Sequence, residues 1–327
     1  MRESISTKLS PSMNPALSPL SLLKRIVPPL SSTLHKGQLG KIGVIGGCLE
    51  YTGAPFYAGI AAQRCGADLV TIICSKEAGI PIKCYSPELI VYPVIELPEE
   101  EVSTKSIDEL CEKNERRITP LLSRIDSLVI GPGAGRNPVM LSTLRRIVRY
   151  AIDKKIPLVI DGDGLWAVTQ EPSLIEQAKN IILTPNQMEF TRLWNEVMKE
   201  KKSPAELTPT SESSMFVKTL AAKLGVTILQ KGAVDEMSDG VAFFRNSSAS
   251  SMRRCGGQGD VVSGVMGVMH LWATKAHDLG VNPLLAACAC TSHVVREAGR
   301  RAFEEERRAM TAMSLISRLP SIIDDSE

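Results

Sequence analysis

The sequence is short of most features that would announce a partner or a compartment. Aromatic residues make up 4% of its 327 residues, and Lys+Arg exceed Asp+Glu only as 38 to 36. There is neither a basic surplus nor a set of interleaved aromatic residues to grip a nucleic acid backbone, so that class of partner is not expected. No apolar run approaches the roughly 18 residues of a membrane-spanning helix, so no membrane span is expected either. Eight cysteines occur. None forms a C-x-x-C pair, and none stands at zinc-ligand spacing from a histidine. Most lie in apolar runs, as buried free thiols do, which fits a reducing compartment. A Walker A loop, a G-x-G-x-x-G turn after the first strand and a G-x-S-x-G elbow are all missing, which argues against P-loop, Rossmann and serine-hydrolase readings.

What is there is apolar material in a regular order. With 43% apolar and 23% charged residues, the chain has the balance of a globular domain with a sizeable core. From about Lys41 onward, short runs rich in Val, Ile and Leu alternate with helical patterns. The runs are "KIGVIGG", "ADLVTIIC", "ELIVYP", "SLVIGPG", "PLVIDGDG", "NIILTPN" and "VTILQKG". They are apolar without alternation, as strands buried on both faces are. Helices are predicted over Ala54–Cys65, Ile107–Ser123, Val139–Lys154, Glu189–Lys199, Glu212–Leu224 and Val261–Lys275. The fold class is therefore α/β, a central and mostly parallel sheet with helices on both faces, in a single domain. In such sheets ligands bind outside the carboxyl ends of the strands. The polar and Gly-rich segments Gly46–Thr52, Gly131–Asn137, Asp161–Gly164, Pro185–Glu189 and Lys231–Asp235 all follow strands, so they should gather at that rim.

Three segments could carry chemistry there. In "RRCGGQGD" the glycines Gly256, Gly257 and Gly259 allow a sharp turn whose N–H groups face an anion, and a helix N-terminus follows. Asp260 is either a helix cap or, beside a bound phosphate, a base for a hydroxyl. In "LTPNQMEF", Asn186 and Glu189 read either as a capping box or as holders of a hydrated Mg²⁺. Lys231, directly after a strand, is either solvated or in reach of a phosphate. Asp161 and Asp163 should cap a helix or line the cleft. His270 reads as structural.

Taken in order, these segments resemble the ribokinase-like superfamily, which carries an anion-hole G-x-G-D and an upstream N-x-x-E. With "HKGQLGKIGVIGGCLEYTGAPFYAG", "LVIGPGAGR", "PLVIDGDGL", "LTPNQMEFTRL", "QKG" and "RRCGGQGD", the chain resembles the ATP-dependent (S)-NAD(P)H-hydrate dehydratase family of the eukaryotic type. The resemblance runs from about Leu34 to the C-terminal helices. It implies ATP-driven dehydration of the S epimer of NADHX or NADPHX, by phosphorylation of the C6 hydroxyl and elimination of phosphate. It implies ATP as co-substrate and Mg²⁺ as cofactor, held near Asn186 and Glu189 through water. Asp260 would be the catalytic base. The hydrate would be met by Gly135, Asn186, Gln187, Met188, Glu189, Phe190, Thr191 and Arg192, and again by Asp260. ATP would be met by Lys231, Gly232, Ala233, Val234 and Asp235, and by Ser250, Ser251, Met252, Arg253, Arg254, Cys255, Gly256, Gly257, Gln258 and Gly259. Two departures are small: "DGDG" stands where the family has D-A-D-G, and "GPGAG" where it has G-P-G-L-G.

Residues 34–327 thus read as the catalytic domain. Residues 1–33 are Ser/Pro-rich, with Arg2, Lys8, Lys24 and Arg25 against the single acid Glu3. They read as a flexible extension, with a targeting segment as the alternative. The expected compartment is the cytoplasm, or a mitochondrion or plastid if that segment is a transit peptide. The remaining expectations are a separate NAD(P)HX epimerase as functional partner and compatibility with a homo-oligomer. A small-molecule kinase of the same fold would share Asp260 but release a stable phosphorylated product. A nucleotide-binding protein without catalysis would not need that acid.

Overall fold

Apolar residues at consecutive positions can be buried only if both faces of a strand are covered. The computed structural model of the chain, which describes residues 17–98, 103–208 and 215–325, bears this out. Among the described residues nine strands form one sheet: β1 Lys41–Ile45, β2 Leu69–Ser75, β3 Ile90–Ile95, β4 Ser127–Ile130, β5 Leu158–Ile160, β6 Ile181–Leu183, β7 Thr227–Gln230, β8 Asp235–Ser238 and β9 Phe243–Asn246. Their order is β3-β2-β1-β4-β5-β6-β7-β8-β9. The pairs from β3 through β7 are parallel, whereas β8 and β9 are antiparallel additions at one edge. The seven strands foreseen from the sequence are all present. The hairpin β8–β9 is not among them, and Asp235 opens a strand instead of ending a loop.

The helices are α1 Pro19–Ile26, α2 Gly53–Cys65, α3 Lys76–Tyr85, α4 Thr104–Leu122, α5 Pro138–Asp153, α6 Gly162–Thr169, α7 Gln187–Met198, α8 Met215–Leu224, α9 Gln258–Lys275, α10 Pro283–Glu306, α11 Ala312–Ile316 and α12 Leu319–Asp324. Successive strand residues feed opposite cores, as a two-residue period requires. Val129, Val159 and Ile182 join one apolar cluster with residues of α2, α9 and α10. Leu128, Ile130, Leu158, Ile160, Ile181 and Leu183 join the other, with residues of α4 through α8. No described helix is long and apolar enough to cross a membrane.

Two expectations are corrected. Residues 19–26, assigned above to a flexible extension, form α1, whose Leu22, Leu23 and Ile26 are buried. The helix is tied down by Arg25, which donates to the Leu279 carbonyl at 3.1 Å. Residues 1–16 lie outside the described residues. The helix that ends the Gly-rich turn starts at Gln258, not Val261, so Asp260 sits inside its first turn. Helix α8 is described from Met215, and the predicted start at Glu212 lies outside the described residues.

The chain runs β1 to β2 to β3 in one direction, then returns to place β4 on the other side of β1. This reversal opens a crevice at the carboxyl ends of β1 and β4. The loops there touch: Gly47 N–H donates to the Pro132 carbonyl at 3.1 Å. A Cβ on Gly46 would stand 2.0 Å from the same oxygen, so only glycine fits.

Candidate active site

The site is built around the start of α9. Gly257 is its N-cap, in the left-handed region at φ +88°, with no side-chain cap. A Cβ there would meet Tyr57 at 2.7 Å and Ala312 at 2.8 Å, so both backbone and space demand glycine. At Gly256 a Cβ would meet nothing within 4 Å, and at Gly259 it would lie 3.3 Å from Lys231 Nζ. The first N–H groups of a helix lack intrahelical acceptors, and its dipole adds a partial positive charge. The turn is therefore suited to an anion, with the Asp260 carboxylate beside it.

Around Asp260 the fold collects acids and one cation. Lys231, at the end of β7, donates to Asp161 Oδ1 at 2.6 Å, and both side chains are largely buried. Asp161 is the N-cap of α6 but makes no side-chain cap bond, its carboxylate being turned to Lys231. Burial pushes the Asp260 carboxyl up to about 7; Asp161 adds to the rise, Lys231 opposes it, and Glu189 and Asp163 contribute further. Glu189 is raised for the same leading reason, burial. Burial works against the charge on Lys231, but Asp161 and Glu189 outweigh it and the ammonium is held above its ordinary value. The pattern is a carboxylate poised to accept a proton near neutrality, next to a fixed cation.

A cleft of about 380 Å³ opens in front of this turn. Of the expected ATP contacts, Lys231, Gly232, Ala233, Asp235, Ser250, Arg254, Cys255, Gln258 and Gly259 line it. Val234, Ser251, Met252 and Arg253 are not brought to its wall. Ser251 donates to the Arg253 carbonyl, Arg253 donates to the Met310 carbonyl, and Met252 is exposed. Gly256 and Gly257 shape the turn leading into α9 instead.

On the hydrate side, Gly135 N–H donates to Asp163 Oδ2 at 2.8 Å, and Arg136 lies 3.6 Å from the same carboxylate. Asn186 and Glu189 form a capping box. Asn186 Oδ1 accepts from the N–H groups of Met188 and Glu189, and Glu189 accepts from Asn186 N–H at 2.8 Å. Gln187 is engaged by the Pro204 carbonyl and by Gln230, Met188 is exposed, and Thr191 donates to the Gln187 carbonyl. The Phe190 side chain is fully buried against Trp194 and anchors α7 to the core, so only its backbone is left to meet the hydrate. Arg192 lies over the Trp166 ring.

The sequence reading missed Arg296 and Ser292 on α10, which line the cleft with Val262, Val295 and Leu315. Arg296 donates to the carbonyls of Ser248 and Ala233 and lies 3.4 Å from Asp235, which Ser292 also reaches at 2.7 Å. The only sequence signal was a Ser and an Arg four residues apart on one helix face. His270 is buried, and among the described residues neither of its ring nitrogens has a hydrogen-bond partner, in line with a structural role.

The donor set can be tested against Mg²⁺. Both Asn186 Oδ1 bonds go to helix N–H groups, and one Glu189 oxygen is committed to the box. Among the described residues no three His, Cys, Asp or Glu side chains form a metal cage. These residues fit an ion that keeps its waters and phosphate ligands and is approached through water, as Mg²⁺ is.

A sequence model of the family described as NAD(P)H-hydrate dehydratase matches residues 42–321. The chain is 43% identical over 302 residues to the mouse (Mus musculus) ATP-dependent (S)-NAD(P)H-hydrate dehydratase, covering 90% of this chain and 82% of that one. Its fold resembles a ribokinase-like superfamily protein from Enterococcus faecalis, with TM-score 0.71, 20% identity and 94% of each chain covered. It also resembles the Bacillus subtilis ADP/ATP-dependent NAD(P)H-hydrate dehydratase, crystallised with ATP and Mg²⁺. There the TM-score is 0.67 and the identity 19%, with 95% of this chain and 98% of that one covered.

Proposed function

Because this chain belongs to the NAD(P)H-hydrate dehydratase family, we propose that it is an ATP-dependent enzyme that converts (S)-NADHX and (S)-NADPHX to NADH and NADPH. The observation that carries the mechanism is Asp260: an acid with its pKa near neutrality in the first turn of α9, beside a glycine turn and Lys231.

Asp260 takes the proton from the C6 hydroxyl as its oxygen attacks the γ-phosphorus of ATP. The bond to ADP breaks, and the hydroxyl oxygen becomes part of a phosphate ester. The start of α9 faces the negative charge of the transferring group with N–H donors that are already oriented. Lys231, held by Asp161, adds a positive charge close to Gly259 without having to be ordered during the reaction. Phosphate is a far better leaving group than hydroxide. The ring nitrogen lone pair expels it from C6, and loss of a proton from C5 restores the dihydronicotinamide. Mg²⁺, when bound, offsets the triphosphate charge; Glu189 and Asn186 would meet it through water.

Reaction on the S epimer alone strands the R epimer, so an epimerase is the partner this activity requires, and we take it to be a separate protein. We assign the enzyme to the cytoplasm on its cysteine usage, with organelle import through residues 1–33 as the alternative that fluorescence localisation of the full chain would reveal.

The test is recovery of dihydronicotinamide absorbance from freshly prepared (S)-NADHX with ATP and Mg²⁺. Recovery with stoichiometric ADP and phosphate is the expected result. ADP formation only with a sugar or pyrimidine alcohol would replace this reading with that of an ordinary kinase.

A further inference from the structure

On the hydrate side of the site the charges are mostly acidic. Asp161, Asp163 and Glu189 all act on Asp260 there, and Lys231 is committed to Asp161. A hydrated nicotinamide dinucleotide brings a pyrophosphate, and NADPHX also a 2′-phosphate. Such a ligand needs cations beyond Lys231.

Two are present on one ring. The Arg136 guanidinium lies 4.1 Å from the centre of the Trp166 ring, and that of Arg192 lies 5.6 Å from it. Arg136 belongs to the loop after β4, Trp166 to α6 and Arg192 to α7. Three elements at the carboxyl rim of β4, β5 and β6 thus converge on a single indole. Arg136 is linked through Asp163 to Gly135, and the Arg192 charge is felt at Glu189, which ties both to the hydrate side. Among the described residues no carboxylate lies within ion-pair distance of Arg192. Cation–ring stacking contributes little at an exposed site. Two guanidiniums on one ring also repel each other. The long ion pair of the half-exposed Arg136 with Asp163 adds little more. Fold stability therefore gives little reason to assemble them, whereas an anion seated on the pair would remove the repulsion and take up the planar donors.

We infer that Arg136 and Arg192, spaced by Trp166, form a clamp for a phosphate group of the dinucleotide substrate. The inference rests on the dehydratase reading and extends it to the non-reacting half of the substrate. The fork of each guanidinium matches two phosphate oxygens, and the indole holds the forks in place before the ligand arrives.

The experiment is steady-state kinetics of the full chain with (S)-NADHX and with (S)-NADPHX, comparing wild type, Arg136→Met, Arg192→Met and the charge-retaining Arg136→Lys. Melting temperatures confirm that each variant is folded. Loss of a charge-assisted phosphate contact predicts a hydrate KM raised about tenfold or more in the Met variants, with KM for ATP within about twofold of wild type and Arg136→Lys intermediate. A rise for both hydrates identifies the pyrophosphate as the bound group; a rise confined to NADPHX identifies the 2′-phosphate. Hydrate KM values that do not move, or that move no more than KM for ATP, overturn the clamp while wild-type turnover leaves the dehydratase reading standing. A wild type that regenerates neither dinucleotide overturns that reading and the clamp with it.

Discussion

Asp260 must be ionised to accept a proton, and its surroundings oppose ionisation. Burial and three neighbouring acids raise its pKa to about 7, and only Lys231 restrains the rise. Turnover should therefore fall as pH drops through about 7, because the protonated acid is no longer a base, and a pH–rate profile of kcat/KM should show that acidic limb. Asp260→Asn should lower kcat by about two to four orders of magnitude while leaving ATP binding nearly intact, which calorimetric titration with ATP would check. Much of this site was legible in the sequence. The glycines, Asp260, Asn186, Glu189 and Lys231 each stand directly after a strand or at a helix start, where an α/β sheet gathers its ligand contacts. What could not be read is pairing across the chain. Asp161 and Lys231 are 70 residues apart, and nothing local marks them as partners. Nor does spacing reveal that Phe190 turns into the core while Glu189 turns toward Asp161 and Lys231.

At the scale of elements, α9 and α10 determine what the site can tolerate. His270 lies on α9, fully buried, and among the described residues neither ring nitrogen has a partner. Burial lowers its pKa to about 3, from an ordinary 6.5. The unfolded chain takes up a proton below that ordinary value while the folded chain does not. Stability is therefore lost as pH falls from about 6.5 toward 3. His270→Leu should remove this component and the two unmet polar atoms, gaining about 1–3 kcal/mol; thermal melts from pH 7 to pH 5 should show a smaller decline than in wild type. On α10, Arg296 holds the loop after β7 to Ser248 through carbonyls on both sides. Arg296→Met should raise KM for ATP about tenfold and leave KM for the hydrate unchanged, as initial-rate kinetics would show. Elements were legible where burial dictated their pattern. The parallel strands are plain because both faces are covered. Strands β8 and β9 are not, since "DEMSDGVAFFRN" is broken by acids and a tight turn. Helix α3 is hidden by Gly79 and Pro81 within it.

For the whole molecule, the sheet joins the two cores, and the N-terminal helix closes one of them. Leu22, Leu23 and Ile26 of α1 are buried in the same cluster as residues of α9 and α10. Composition alone concealed this, because serine and proline around α1 dilute its apolar stripe. Leu23→Ala should destabilise the protein by about 2–5 kcal/mol, measured by urea unfolding, although the residue lies outside every motif of the active site.

The contact between α2 and α9 has a further consequence. A Cβ on Gly264 would stand 2.0 Å from the Ala58 carbonyl oxygen, so the two helices meet backbone to backbone, one turn beyond Asp260. A saturation survey of single substitutions, scored by growth or turnover, would rank position 264 with the catalytic acid, although it touches no ligand. Intolerance to change along α9 therefore maps two different constraints, one on the chemistry and one on the separation of two helix axes, and only separate assays of folding and turnover would tell them apart.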